Sequence, residues 1–236
     1  VTQMAELGSF AEQMLVHENA VVKVGEDVPF EQLSLIGCGV TTGLGAVLNT
    51  AQVKPGSTVA IIGCGGVGLN CVQGAVLAGA LRIIAIDSIE TKLTLAKELG
   101  ATDLINTSDG DTVEKVLNLT DGGVDYSFEA IGSKTTAEQA FEILEPGGTA
   151  TIIGMIPEGV KIELDGSSFL DERRVQGSNM GSNRFRIDMP RYIEFYLQGR
   201  LKLDELVSQR LNLEQINEGF VLMEQGHVAR SVITFA

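Results

Sequence analysis

The sequence is short of basic residues and has no long apolar run. Lys and Arg number 17 against 31 Asp and Glu, which gives a formal net charge of −14. This balance argues against nucleic acid or an anionic membrane as a partner and favours a soluble protein. Because no apolar run reaches the roughly 18 residues of a membrane helix, the sequence predicts no membrane partner and a cytoplasmic location.

Cysteine is also scarce, and its number is odd. The chain has three cysteines and no apolar leader-like segment at its N-terminus, which argues against a disulfide framework and for a reducing compartment. The 236 residues are 44% hydrophobic, so the chain can bury roughly 70% of its unfolded surface. These numbers exclude disorder and predict one large domain, or one domain plus part of another.

The most informative stretch runs from Ser57 to Asp87. Residues 58–62 are an unbroken apolar, β-branched run, typical of a strand buried on both faces of a parallel sheet. A G-x-G-x-x-G pattern follows, in which the first glycine permits a sharp turn, the second leaves room for a pyrophosphate and the third lets a helix lie close to the sheet. The start of that helix presents backbone N–H groups to phosphate. The predicted phosphate-binding residues are Gly63, Gly65, Gly66, Val67 and Gly68.

Asp87 ends the next predicted strand, 19 positions beyond Gly68, where a ribose-binding acid belongs. It favours NAD over NADP, because a carboxylate about 4 Å from a 2′-phosphate would cost roughly 4 kcal/mol per pair of unit charges. No basic residue follows Asp87 directly. A glycine turn without a ligand and an S-adenosylmethionine methyltransferase are the alternatives.

Strand and helix patterns then alternate along the chain, which predicts an α/β fold. The predicted architecture is a Rossmann-type doubly wound parallel sheet of six strands in the order 3-2-1-4-5-6, spanning residues 40–180. The predicted strands are 58–62, 82–87, 103–106, 122–132, 149–155 and 174–179, and the helices between them are 69–80, 91–99, 111–119 and 135–144.

The two flanks of this region have other patterns. Before it come two strand-like pieces, 10–16 and 20–24, a helix over 30–35, and a glycine-rich stretch that predicts close backbone packing near Cys38. After it come two helical segments and a final strand. We therefore predict three segments: 1–39 as part of a second domain, 40–180 as the nucleotide-binding domain, and 181–236 as the return to the second domain. The last elements are expected at 189–198, 213–224 and 231–235.

Taken in order, several motifs resemble the zinc-containing medium-chain alcohol dehydrogenases over nearly the whole chain. They are Gly37-Cys38-Gly39 with Thr41-Thr42-Gly43, and residues 53–68, 96–102, 122–129 and 215–220. The resemblance implies that segments 1–39 and 181–236 belong to a GroES-like catalytic domain. It also implies NAD as coenzyme and zinc as the catalytic metal.

By this resemblance, Cys38 is one of three protein ligands of the catalytic zinc. Only 37 residues precede it, too few for the domain that carries the other two ligands. The chain is therefore expected to be either a fragment of a longer enzyme or a truncated NAD-binding module without catalysis. Taken alone, Cys38 would be a buried small residue. Cys64 and Cys71 are expected to be packing residues, His17 matches no ligand motif, and His227 is expected in a surface turn.

The resemblance also assigns the cofactor pocket residue by residue. Asp87 and Lys92 would bind the adenosine ribose, and Ile131 and Gly132 would line its side. Arg230 would bind the pyrophosphate, and Arg184 or Arg186 could also touch it. For Lys92 and Arg230 the alternative is a solvated surface charge. The nicotinamide end would be formed by Thr42, Ile153, Gly154 and Met155.

The activity implied is hydride transfer between a primary or secondary alcohol and NAD, with an alcohol or aldehyde as the small-molecule partner. The alternatives are an inactive NAD-binding module and, disfavoured by Cys38 and Asp87, a metal-free NADPH reductase. The resemblance further implies a homodimer, in which residues 160–164 would form an edge strand that pairs with its copy. The substrate stays open among aliphatic, aromatic and thiol-adduct alcohols.

Overall fold

A computed structural model describes residues 7–25, 27–226 and 229–235. Its strands are β1 Thr58–Ile62, β2 Arg82–Asp87, β3 Asp103–Asn106, β4 Val124–Glu129, β5 Leu144–Ile152, β6 Arg174–Gly177, β7 Val207–Leu211 and β8 Arg230–Ile233. The first six form one sheet in the order β3-β2-β1-β4-β5-β6, and every pairing in it is parallel. The predicted fold class and strand order are confirmed.

Helices cover both faces of this sheet. They are α1 Phe30–Thr50, α2 Gly68–Ala78, α3 Glu90–Glu98, α4 Thr112–Thr120, α5 Lys134–Glu142, α6 Phe185–Leu197 and α7 Ile216–Glu224. The helices predicted between the strands are confirmed to within a few residues. α7 is shorter than predicted, because residues 213–215 form a separate 3₁₀ turn.

The first helix differs most from its prediction. α1 continues beyond residue 35 to Thr50, through π-helical turns at Ile36–Val40 and Ala46–Thr50. Two of its glycines lie against other backbone: a Cβ on Gly43 would stand 2.5 Å from the Val67 carbonyl oxygen, and one on Gly45 would collide with the Gly181 carbonyl oxygen. The predicted close backbone packing is therefore at these two residues and not beside Cys38, since nothing lies within 4 Å of a Cβ on Gly37. By length and composition α1 could cross a membrane, but most of it is buried inside this fold. It is built as a core helix.

The central strands are buried on both faces, as their unbroken apolar sequence predicts. In β1, Val59 and Ile61 belong to the core cluster that includes α1, α2 and α6. Ala60 and Ile62 belong to the cluster on the other face, together with residues of α4 and α5. The sheet is therefore a rigid platform, and the turns that leave its strands are held at fixed positions.

The predictions of strands at 10–16 and 20–24 are wrong. Within the described residues 7–25 there is no strand, and 18–20 form a 3₁₀ turn, because no described strand lies beside this segment to complete its backbone hydrogen bonds. Residues 160–164 form no strand within the single chain, and their pairing with a second copy stays a prediction. There the N–H of Glu163 donates to the Glu138 carboxylate at 2.7 Å, so the segment is tied to α5 by a side chain.

The C-terminal part forms a small second sheet. The predicted last strand is β8, which pairs in parallel with β7, an element that the sequence patterns did not indicate. The large sheet lies within residues 58–177, and α1 crosses the predicted boundary at 39/40. The division into three segments stays a prediction.

Candidate functional site

The turn between β1 and α2 has the geometry that its glycines predict. Gly63 has a φ of +96°, and its N–H donates to the Ile86 carbonyl at 2.8 Å. A Cβ on Gly68 would collide with the Gly63 carbonyl oxygen, whereas nothing lies within 4 Å of a Cβ built on Gly65. The Leu69 N–H donates to the Gly65 carbonyl at 2.9 Å, but no side chain caps the first turn of α2, so the N–H groups of Gly68 and Asn70 are available to an anion. Protein backbone therefore fills the space beside Gly68, whereas the space beside Gly65 is free for a ligand.

The Asp87 carboxylate is hydrogen-bonded both to this turn and to the turn that follows β2. Asp87 is 8% exposed, and its two carboxylate oxygens accept from the N–H of Cys64 at 2.8 Å and of Ile89 at 3.0 Å. Each oxygen keeps a lone pair for another donor. The residue opens onto a cavity of about 330 Å³ whose other lining residues are Ile62, Ile86, Ser88, Thr107, Gly110, Asp111, Thr112, Ile131, Thr136 and Gln139.

The cysteines next to this turn are packing residues, as predicted. Both Cys64 and Cys71 are fully buried. Burial, reinforced by the neighbouring Asp87 carboxylate, raises the pKa of the Cys64 thiol to about 12. Burial also raises the pKa of Cys71. Both thiols are therefore protonated at neutral pH and are poor metal ligands or nucleophiles.

The turns after β4 and β5 bring together five residues predicted from the resemblance. Gly132 has a φ of +94°, and a Cβ there would lie 2.7 Å from the backbone nitrogen of Met155. A Cβ on Gly154 would in turn collide with Gly132. The turn that carries Ile131 therefore crosses directly over the turn that carries Ile153 and Met155, and Met155 is exposed.

Glu129 is a site residue that the sequence reasoning missed. It is fully buried at the end of β4, and its Oε1 accepts from the N–H of Ile131 at 2.9 Å, the N–H of Gly132 at 2.7 Å and the Thr136 hydroxyl at 2.8 Å. Its Oε2 is buried without a partner and lies 2.6 Å from a Cβ built on Gly154. The signal in the sequence is an acid that ends an apolar strand, as Asp87 does.

Arg230 and Lys92 both lie beside the turn between β1 and α2. They line a cavity of about 290 Å³ together with Gly65 and Gly66. The Arg230 guanidinium occupies the space that a Cβ on Gly66 or on Gly39 would fill, so it is packed between α1 and the turn. This position agrees with an anion-binding role and not with a lone surface charge. Arg184 and Arg186 instead line a different cavity with Gly37.

Thr42 lies in α1, beside Met180. It is 8% exposed, and its hydroxyl is 3.7 Å from the Met180 sulfur. Met180 belongs to the segment 178–183, which follows β6 and packs on α1. Met180 and Gly37 both line a cavity of about 810 Å³. Met180 was not among the predicted site residues, but it lies beside one of them, Thr42.

Cys38 stands alone as a possible metal ligand. It is exposed, so the alternative of a buried small residue is wrong. Within residues 7–25, 27–226 and 229–235, no three His, Cys, Asp or Glu residues are grouped as a metal site. A catalytic zinc needs three protein ligands, so these residues alone do not fit one. The His17 ring accepts from the Asn19 N–H at 3.1 Å, and His227 lies outside the described residues.

The fold and the turns at the carboxyl end of its strands define a doubly wound α/β protein of the nucleotide-binding type. The sequence profile described as "Zinc-binding dehydrogenase" matches residues 66–198. The chain belongs to the zinc-binding dehydrogenase family, which confirms the predicted resemblance.

Named relatives support the same assignment. The chain is similar to "Alcohol dehydrogenase class-3" of Cereibacter sphaeroides, with 39% identity over 96% of the chain and 63% of the relative. It is also similar to "S-(hydroxymethyl)glutathione dehydrogenase" of Paracoccus denitrificans, with 38% identity over 96% of the chain and 63% of the relative.

Solved structures share the fold. The benzyl alcohol dehydrogenase of Acinetobacter calcoaceticus superimposes with a TM-score of 0.91 at 34% identity, over 94% of this chain and 62% of that one. An alcohol dehydrogenase zinc-binding domain protein from Burkholderia ambifaria gives a TM-score of 0.91 at 36% identity, over 94% and 60%. The chain thus spans about three fifths of the length of the proteins it matches.

Proposed function

We propose that this chain is the NAD-binding portion of a zinc-dependent alcohol dehydrogenase, which transfers hydride between a primary or secondary alcohol and NAD. The observation that carries the proposal is Asp87, buried at the end of β2 with free lone pairs beside an open glycine turn. The structure fits NAD because the open space at Gly65 and the guanidinium of Arg230 suit a pyrophosphate.

Each residue of the proposed site has a defined role. Asp87 and Lys92 bind the adenosine ribose, and the carboxylate excludes a 2′-phosphate by charge. The turns at Ile131–Gly132 and 153–155 flank the cofactor, and Thr42 lies against the nicotinamide, which supplies the hydride acceptor when bound. Cys38 would contribute one ligand to zinc. No group of further ligands is found among the described residues.

Calorimetry with NADH and NADPH tests the cofactor. We expect NADH to bind at least tenfold more tightly than NADPH, and Asp87→Asn to reduce that ratio because the repelling charge is gone. Asn keeps the size of the side chain, so the change isolates its charge. A protein that binds neither dinucleotide, or that binds NADPH more tightly, would contradict the proposal.

A second candidate is an NAD-binding module without turnover, favoured by the single metal-ligand candidate at Cys38. Elemental analysis and alcohol-dependent NADH formation separate the two candidates. Benzyl alcohol and S-(hydroxymethyl)glutathione are the substrates to try, because relatives are named for them. NADH binding without zinc and without turnover would favour the module.

We also propose that two copies associate along the free edge of the large sheet. β6 is the outer strand there, and residues of the preceding segment 156–162 line a shallow cavity beside it. Sedimentation velocity should show a dimer, and Ile162→Asp should shift it to monomer. A monomeric wild-type protein would contradict this.

A further inference from the structure

The segment that follows β6 is locked onto α1 by close contact. Residues 178–183 cross α1 at Gly45, where a Cβ would collide with the Gly181 carbonyl and the Asn183 amide. On one side of this crossing, the Thr50 hydroxyl lies 2.9 Å from that of Ser178 and 2.8 Å from that of Ser182. The crossing joins the helix that carries Thr42 to the segment that carries Met180.

Asn183 uses its whole amide in this crossing. Its Nδ2 donates to the Thr41 carbonyl at 2.7 Å and to the Met180 carbonyl at 2.6 Å. Its Oδ1 accepts from the Tyr192 hydroxyl at 2.6 Å and from the Asn49 amide at 3.3 Å. Two donors and two acceptor sites are all that this side chain has. No other amide orientation would satisfy all four partners.

Tyr192 anchors the oxygen of this amide. Its side chain is 1% exposed, and burial, with Asp188 nearby, raises the pKa of its phenol to about 12. The phenol is therefore protonated at neutral pH and donates to Asn183. The carbonyls of Thr41 and Met180 can only accept, so Nδ2 must face them, which leaves Oδ1 to accept from Tyr192.

The segment held in this way has an unfavourable backbone. Met180, Gly181 and Ser182 have φ values of +49°, +66° and +50°, in the left-handed region that non-glycine residues rarely adopt. Such a conformation persists only where its surroundings impose it. The result of this arrangement is that the Met180 side chain lies against the Thr42 hydroxyl.

We infer that Asn183 is a positioning residue for the nicotinamide end of the cofactor cleft: by joining the carbonyls of Thr41 and Met180, it fixes Met180 against Thr42. The inference rests on the proposed function, since Thr42 is there assigned to the nicotinamide. It predicts that a substitution at Asn183 weakens only the binding contribution of the nicotinamide half of the ligand.

The test compares NADH with ADP-ribose, which has the adenosine and both phosphates but no nicotinamide. Calorimetry is done on wild type, Asn183→Ala, Tyr192→Phe and the control Asn118→Ala, an exposed asparagine on α4. For Asn183→Ala we expect NADH to bind about tenfold more weakly and ADP-ribose to stay within twofold of wild type. Tyr192→Phe should show the same selectivity with a smaller loss, and Asn118→Ala should match wild type.

Equal losses for both ligands, or no loss for either, would overturn the role of Asn183. If Asn183→Ala fails to fold by circular dichroism, Tyr192→Phe decides the matter by the same comparison, because it keeps Asn183 and removes only the hydroxyl that anchors its Oδ1. A wild-type protein that binds neither ligand refutes the proposed function itself. Wild-type binding of both ligands without selective loss in the variants refutes only the positioning role.

Discussion

At the carboxyl end of the large sheet, Asp87 and Glu129 are buried and accept hydrogen bonds mainly from backbone N–H groups of the turns that follow them. At the amino end, Asp103 pairs with Arg82 at 2.9 Å, and Asp125 accepts from the first N–H of β1 at 2.7 Å. The carboxylates at the first end shape turns beside open cavities, whereas those at the second end join strand to strand.

This difference shows how one sheet separates binding from stability. In doubly wound folds the ligand binds outside the carboxyl ends of the strands, and here that end has buried carboxylates with unused lone pairs. We therefore expect substitutions at the carboxyl end to change cofactor affinity, whether or not they also change the stability of the fold. Substitutions at the amino end should change stability and its pH dependence alone.

The largest effect is expected at the glycine turn. Gly68→Ala places a methyl group against the Gly63 carbonyl oxygen, and this overpacking should destabilise the fold by about 3 kcal/mol. Gly65→Ala is the matched control, since its methyl group meets no protein atom. We expect it to keep wild-type stability in urea unfolding and to bind NADH at least tenfold more weakly. Equal stability of the two variants would contradict the assigned geometry.

Glu129 should come next. Glu129→Ala leaves two N–H groups and a hydroxyl without their acceptor, which should destabilise the fold by about 2 to 3 kcal/mol and weaken NADH binding by loosening the crossed turns. Glu129→Gln is the control, because it keeps an acceptor at Oε1 and changes the unpartnered Oε2. We expect it to unfold within about 1 kcal/mol of wild type. A loss as large as that of alanine would show that the charge itself is required.

The sequence predicted the turns after β1, β2 and β4 well, and the reason is local. Residues 58–87 contain the strand, turn, helix and second strand in one stretch, so spacing alone places Asp87 beside Gly65. Residues 131 and 132 follow the same rule after β4. Glu129 could have been found in this way too, because it ends its strand as Asp87 does.

The surroundings of Thr42 were predicted only in part, because they are assembled by contacts between distant residues. Asn183 meets Thr41 across 142 positions, and no periodicity or spacing indicates such a pair. The strand expected at 160–164 is not formed within the single chain, for a related reason. Its alternating pattern is typical of an edge strand, but the choice between a strand partner and the Glu138 side chain is made by the tertiary structure.

At the amino end, the Arg82–Asp103 pair should give a modest, pH-dependent effect. Hydrogen bonding to Arg82 lowers the pKa of the Asp103 carboxyl, so the contribution is present above the unfolded-state pKa, near 4, and is lost as pH falls through the folded-state value. We expect Arg82→Ala to cost about 1 kcal/mol at pH 7 and less at pH 2.

Urea unfolding at both pH values checks this, with Arg174→Ala as the control. Arg174 is 62% exposed and lies 3.8 Å from Glu172, so its removal should change little. NADH affinity should stay at the wild-type value in both variants. Weaker NADH binding by Arg82→Ala would break the separation between the two ends of the sheet.

The smallest effect is expected at Glu145, near the start of β5, and it has the opposite sign. Partial burial and the neighbouring Asp125 raise the pKa of the Glu145 carboxyl. A raised folded-state pKa stabilises the protein only while the group is protonated, and that contribution is lost as pH rises through the folded-state value. At pH 7 the charged Glu145 is therefore unfavourable, and Glu145→Gln should stabilise the fold by roughly 0.5 kcal/mol.

The gain in stability from Glu145→Gln should vanish at pH 3, where Glu145 is protonated. A gain of the same size at both pH values would mean that packing, and not charge, is responsible. Unchanged NADH affinity in this variant would complete the contrast, since the carboxylate at the amino end would then affect stability only, whereas Asp87 at the carboxyl end affects binding.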